Sequence, residues 1–390
     1  MIYLDHITAS PIDPRVLEAM QPYMDEHFGS PVSLHRGGAQ ARQALDKARE
    51  QIAGLIRCEQ KEIIFTSGGT ESDNLAIKGL AQAYMKKGRH VIVSAIESHA
   101  VLYAARTLKR QGFTVTQIPV DTDGIVHPEA VRQAMQDDTI LVSVVLASDE
   151  IGVIQPVRDI TDIAHEHGAV MHTDAVCAGG HVPVNVQTLG VDALSLSARS
   201  MHGPPGCGAL FLKQGTRIKP QIEGGIQEAG RRGGHENIPA IVGFGRAAEL
   251  AQVQLPDQMI KLRQLDQQLL RGLATRIPGL SLNGHPSKRL PGHLNLMIRD
   301  ADSESMVLML DAKGIAVSIG SACASHAFKP SHVLLAIGRT PREAQCSLLI
   351  TMGPSTNTSD IDLVIEALLG IVNQLHHFAG VVVEANEYIQ

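Results

Sequence analysis

The chain has 390 residues, 34 Lys and Arg against 40 Asp and Glu, and a formal net charge of −6. Hydrophobic residues at 44% and charged residues at 19% are the balance of a folded globular protein, and this length predicts about two to three domain-sized units. A mildly acidic chain with 3% aromatics and no Trp is a poor candidate for nucleic-acid binding, whether by neutralising phosphate or by stacking on bases.

No apolar run approaches the ~20 residues needed to span a bilayer. The start of the chain, Met1 to Asp13, carries Asp5, His6 and Asp13 and no basic segment, so no secretory leader and no membrane association are expected. Five cysteines (Cys58, Cys177, Cys207, Cys323, Cys346) are scattered without a CxxC, which predicts reduced thiols and a cytoplasmic protein.

From Lys61 to Leu212 short apolar runs alternate with helical patterns. Strands are expected at 62–66, 90–94, 114–119, 140–147, 170–174, 193–197 and 208–212, with helices at 72–86, 101–110, 127–136 and 158–167. Several of the strand runs are continuously apolar, as in strands buried on both faces of a mainly parallel sheet. The alternation predicts a doubly wound α/β domain. Residues 214–239 hold eight glycines or prolines and read as an extended loop. A helical tract follows over 241–277, and a domain boundary is placed inside it near Leu255–Pro256. Beyond it, strands at 293–298, 316–318 and 347–351 and helices at 304–313 and 358–378 predict a smaller α+β domain. The expected division is residues 13–255 for the large domain, and residues 1–12 with 256–390 for the small one.

Four stretches carry chemistry. Thr66-Ser67-Gly68-Gly69-Thr70-Glu71-Ser72 follows a strand and opens a helix. Its glycines permit close backbone approach, and the helix start offers amides to an anion; a plain βα turn would look the same. His172-Thr173-Asp174-Ala175 ends a strand where ligand crevices form, so Asp174 is placed to pair with a protonated ring nitrogen or to cap a helix. His99 opens a helix, as a ring-stacking or proton-moving group or as a cap. Ser318 to Ser325 is a small-residue loop around Cys323, which leaves that sulfur accessible; a reactive thiol also needs a depressed pKa.

Taken in order, these stretches resemble the NifS/IscS branch of cysteine desulfurases, in the class V aminotransferase family of pyridoxal-phosphate enzymes. Further stretches carry the resemblance: Tyr3-Leu4-Asp5-His6, Phe28-Gly29-Ser30-Pro31, Glu150-Ile151-Gly152, residues 180–186, residues 224–237 and Gly320 to Ser325. The resemblance covers essentially the whole chain. It implies the pyridoxal-phosphate transferase fold and a homodimer. It also assigns roles: Gly69, Thr70 and Ser197 at the phosphate, His99 stacked on the ring, Asp174 at the ring nitrogen, and Cys323 as the persulfide-carrying thiol.

The departures from the family pattern fall on the chemistry. The lysine that forms the imine with the cofactor is Ser200 here, and no lysine occurs between Lys109 and Lys213. A hydroxyl neither forms an imine nor relays a proton as an amine does. The arginine that anchors the substrate carboxylate is Leu349, which offers no bidentate donor. Four further cofactor positions differ. Cys177 stands for a Gln, Asp149 for an Asn, His235 for a Thr reaching across the dimer, and Arg199 for a His. Pyridoxal phosphate is therefore expected to be held non-covalently or to be absent.

Several readings stay open. The first is sulfur transfer or iron–sulfur assembly through Cys323, which would carry persulfide or ligate a cluster for a scaffold or sulfur-acceptor partner. The second is a non-covalent cofactor held by Thr70, Asp174, Ser197 and Arg199. The third is a metal or redox site in which Cys177, Asp149, His99 and His235 converge. The last is a structural paralogue.

Overall fold

The computed structural model describes residues 1–320 and 330–378. The Cys323 loop singled out in the sequence lies outside the described residues.

The chain opens with β1 (Ile2–Tyr3) and then builds a seven-stranded sheet. Its strands are β2 (Ile63–Thr66), β3 (His90–Ser94), β4 (Thr114–Ile118), β5 (Thr139–Ser143), β6 (Val170–Asp174), β7 (Ala193–Ser197) and β8 (Gly208–Leu212). Their spatial order is β2-β8-β7-β6-β5-β3-β4. Only β8 runs antiparallel to its neighbours in this sheet. Every residue of the six strands other than β4 is buried, which is why they read as unbroken apolar runs. β4 lies at the sheet edge and keeps polar, partly exposed positions. Helices Gly69–Tyr84, His99–Arg110, Pro128–Ala134 and Val157–Glu166 follow β2, β3, β4 and β5 in turn. This is the mainly parallel α/β fold expected from the sequence.

Two boundaries shift for physical reasons. The apolar run 140–147 is strand only to Ser143. Beyond it Val144 to Ala147 stay buried under the cavity described below, and Ala147 bridges back to Ile154. The helix expected from residue 72 starts at Gly69, because Gly68 at φ +147° turns the chain straight into it.

The helix Arg36–Ile56 has no counterpart in the sequence reading. It packs on the long helix Ile238–Ala274, and a Cβ added at Gly245 would stand 2.6 Å from the Ala48 Cα. The long helix runs without interruption through Pro256. Its first half buries Ile238, Ile241, Phe244 and Ala248 in the core of the large sheet. Its second half buries Leu262, Leu265, Leu269 and Leu273 in another core. That second core is built on β9 (Leu280–Leu282), β10 (His293–Ile298), β11 (Ile315–Ala316) and β12 (Ser347–Thr351), with helices Ser303–Asp311 and Thr358–Phe378. The order β12-β10-β9 is antiparallel, and β1 adds to β11, bringing Leu4 into the same core. Among the described residues, no helix is long and apolar enough to cross a membrane.

Candidate active site

The loops at the carboxyl ends of β2, β3, β5, β6 and β7 enclose a cavity of about 510 Å³. That is the position at which open α/β sheets receive ligands. The helix after β2 contributes Gly69, Thr70 and Asp73; the loop after β3 contributes Ser98 and His99. Asp149 and Glu150 follow β5, Asp174 ends β6 with Cys177 in the turn after it, and Arg199 follows β7. Ile7, Thr8 and Gly320 close the rim from the smaller unit and its N-terminal segment.

Each element aims its side chain for a local reason. A Cβ at Gly69 would stand 2.5 Å from Val176 Cγ2, so only glycine lets the helix start approach the turn after β6. Thr70 and Asp73, three residues apart, then share one helix face. The first-turn amides of that helix have no partner within the helix, and a helix start of this kind favours an anion. One of its neighbours, the Ser67 N–H, donates to Glu71 Oε2 at 2.8 Å, and Glu71 is itself paired with Arg232. The His99 ring lies 5.3 Å from the Tyr103 ring at 36° and 4.9 Å from the His332 ring at 57°. His332 Nε2 donates to the Glu97 carbonyl at 3.0 Å, so that ring is fixed as well.

The electrostatics are dominated by carboxyl groups. Burial raises Asp174 to about 6 and Glu150 to about 8, the latter helped by the charge of Asp149. Asp73 is raised well above the ordinary range by burial and by the adjacent Asp174, so of the two Asp73 takes the proton. One of its carboxyl oxygens, Oδ1, has no hydrogen-bond partner although the residue is 2% exposed. His172 lies 3.8 Å from that oxygen, but burial pushes its ring down to about 3 and it stays neutral. Asp149 is raised by burial and pulled back by His332 and His99. Among the described residues, Arg199 is the one lysine or arginine lining the cavity. Its guanidinium donates to the carbonyls of Ile7 (2.7 Å) and Thr8, so it ties down the N-terminal segment.

The structure therefore brings together Gly69, Thr70, His99, Asp149, Asp174, Cys177 and Arg199. Ser197, Ser200 and His235 do not line this cavity. Ser200 Oγ donates to the Ser197 carbonyl at 2.9 Å, and Ser200 faces a second, smaller cavity with His181, His202 and Met352. His235 faces a third, with Phe65, Cys207 and Arg232, so its expected convergence with the other three ligand-type groups does not occur within one chain. Cys177 as a metal ligand gains no support. Among the described residues no three His, Cys, Asp or Glu side chains are placed to hold a metal ion. Burial, with Asp149 and Asp174 nearby, also raises the Cys177 thiol and keeps it protonated. Cys323 lies outside the described residues. Asp73 and Glu150 were not singled out in the sequence; the three-residue step from Thr70 was the signal for Asp73.

Fold and site together define a class V aminotransferase, and residues 2–364 match the aminotransferase class-V family. The cysteine desulfurase IscS of Methanosarcina thermophila is 46% identical over 378 residues, covering 97% of this chain and 93% of that protein. The IscS of Dictyoglomus turgidum is 44% identical over 374 residues, 96% of this chain and 95% of its own. Among solved structures, a NifS-like protein superposes with a TM-score of 0.90 at 34% identity, covering 96% of this chain and 99% of that one. A structure described as SspA in complex with cysteine has a TM-score of 0.81 at 32% identity, over 92% of this chain and 100% of that one. The chain belongs to the NifS/IscS cysteine desulfurase family.

That family implies pyridoxal phosphate, and the residues present fit it only in part. The glycine-opened helix start with Thr70, the His99 ring and the Asp174 carboxyl suit a phosphorylated pyridine. The covalent link does not fit: among the described residues no lysine lines the cavity, and the side chain at 200 is a hydroxyl already spent on a backbone carbonyl. No step through a lysine-bound cofactor follows from this site.

Proposed function

We propose that this chain works in sulfur transfer through Cys323, without the lysine-dependent release of sulfur from cysteine. The observation that carries the first half of the reading is a cavity lined by no lysine among the described residues, with Ser200 turned onto the Ser197 carbonyl. The second half is supported by exclusion among the thiols. Burial raises Cys58 and Cys207 to about 12, and it also raises Cys177 and Cys346. A thiol held protonated is a poor nucleophile and a poor sulfur carrier. Cys323 is the remaining cysteine, and its loop leaves the described chain at Gly320, on the cavity rim. In this reading the protein is a cytoplasmic homodimer that accepts persulfide on Cys323 and passes it to an acceptor, or ligates a cluster for an iron–sulfur scaffold.

The test is to alkylate the native protein, rank the five cysteines by rate, and repeat after exposure to a persulfide donor. Cys323 is expected to react first and to carry the extra sulfur in the mass of its peptide. If Cys177 or Cys207 outpaces it, or if no cysteine gains sulfur, the sulfur-carrier reading fails.

A further inference from the structure

We infer that residues 5–11 are a strap that closes the rim of the main cavity at neutral pH and lets go in acid, with the imidazole of His6 as the group that releases it. This release is separate from the chemistry of Cys323.

The strap joins the two units. Just before it, β1 pairs with β11 of the smaller unit. Its first residues are held by the end of β12: the His6 and Ile7 N–H groups donate to the Thr351 carbonyl (3.3 Å) and hydroxyl (3.1 Å). Farther on it is held by the turn after β7 of the large unit. There Arg199 takes the Ile7 and Thr8 carbonyls, and His202 Nδ1 donates to the Pro11 carbonyl at 3.0 Å. Between these two anchors Ile7 and Thr8 line the cavity, so a freed strap opens that rim.

His6 is wedged beneath the strap. Its ring is 6% exposed and lies so close to Gly353 that a Cβ at that position would run into it. The ring centroid is 5.1 Å from that of Tyr3 and 5.6 Å from that of His202. Neither ring nitrogen has a hydrogen-bond partner. His181 and His202 line the small cavity alongside, with Ser200 and Met352. Each donates from Nδ1 to a carbonyl, of Gly179 and of Pro11, which leaves Nε2 to take a further proton.

A charged His6 finds nothing to pair with. The large unit presents His181, His202 and Arg199 to it. Beyond Gly353, Lys261 of the long helix donates to the Pro354 carbonyl at 2.6 Å. His293 of β10 neighbours His181, and burial keeps it neutral. Of the carboxyl groups, Asp13 is paired with Arg15 at 2.6 Å, and Asp5, raised by burial, is drawn back by Thr8 and Arg199. Burial, with His202 and His181 nearby, lowers His6 to about 4; the Tyr3 carbonyl pulls the other way, least of the four. An open strap returns the ring to water and to its ordinary value of about 6.5. The closed strap is therefore fully favoured above that value. As pH falls from there toward 4, this one ring favours opening by close to tenfold per pH unit.

The test follows amide hydrogen exchange of the full-length protein at about pH 6.5 and about pH 4.8, corrected for the intrinsic rate. The peptide covering residues 4–13 is expected to lose protection by at least about tenfold, while peptides from β3, β6 and β7 keep theirs. His6→Asn removes the titrating ring. His202→Asn keeps an N–H for the Pro11 carbonyl and removes a neighbouring charge. Each variant should shrink the loss. In acid, dithiodipyridine should label Cys177, inside the cavity, faster in the native protein than in His6→Asn. Equal protection at both pH values overturns the inference. So does a loss that both variants leave intact, parallel opening of the sheet peptides, or Cys177 labelling that His6→Asn does not slow.

Discussion

Ser200 sits in the turn after β7 with its hydroxyl on the Ser197 carbonyl, and Leu349 lies in the middle of β12 at 1% exposure. The two positions are on different elements, and each lacks the charged group that lysine-dependent desulfuration needs. Restoring one therefore leaves the other missing. A Ser200→Lys variant regains an amine, and reduction with borohydride in the presence of pyridoxal phosphate would reveal any imine formed on it. Position 349, beside Gly320 on the cavity rim, still carries an isobutyl group where the family pattern has the guanidinium for the substrate carboxylate. A lost charged hydrogen bond is worth about 1.5–3 kcal/mol, or about ten- to a hundredfold in rate. Asp149, where the family pattern has an Asn, adds a further carboxyl to the same cavity. The expected outcome for Ser200→Lys is sulfide release from L-cysteine at no more than a few per cent of that of a lysine-bearing relative assayed in parallel. Turnover comparable to that relative would show that position 200 alone accounts for the loss.

At the scale of elements, the site depends on how tightly the end of β8 meets the loop after β2. A Cβ added at Gly208 would lie 2.6 Å from the Gly68 Cα and carbonyl carbon and 2.8 Å from the Leu196 carbonyl oxygen. All three are backbone atoms, so nothing there yields by changing a rotamer. Gly208→Ala must push β8 away from β2 and β7 at the register points Thr66 and Ser197. Overpacking of this kind costs about 1–3 kcal/mol, and the denaturation midpoint should fall accordingly; an unchanged midpoint would mean that the sheet edge is looser than its spacing implies. This sheet was legible in the sequence because strands buried on both faces leave continuous apolar runs, and β3, β6, β7 and β8 begin and end where those runs do. The helix Arg36–Ile56 was not legible, because its buried face is largely Ala41, Ala44, Ala48 and Ala53, small residues chosen for close helix packing rather than for hydrophobic contrast. The cavity was legible as a set of matching positions. The clustering of its carboxyl groups was not, since that depends on the direction Arg199 takes and on Asp73 and Glu150 joining Asp149 and Asp174 on one wall.

For the molecule as a whole, the buried titrating groups fall into two sets that act in opposite directions with pH. Burial lowers His6 and His181 to about 4 and His172 and His293 to about 3. These rings contribute stability that is present above the ordinary imidazole value of 6.5 and is lost as pH falls through those lowered values. Burial raises Asp174 and Asp266 to about 6 and Glu97 and Glu150 to about 8. Their contribution is complete below the ordinary carboxylate range and is lost as pH rises through the raised values. Between roughly pH 4.5 and 6.5 the two sets oppose each other and stability changes little. Above 6.5 the histidines no longer titrate in either state, and only the carboxyl groups act, so stability falls toward pH 8.5. Calorimetric melting of the ligand-free protein should therefore peak on the acid side of neutrality and decline from pH 6.5 to 8.5. Glu150→Gln should make that decline shallower, since the amide oxygen can still accept from the Ser331 hydroxyl while the ionisation is removed. A melting temperature that holds or climbs from pH 6.5 to 8.5 would mean that these carboxyl groups are already compensated by neighbouring charges.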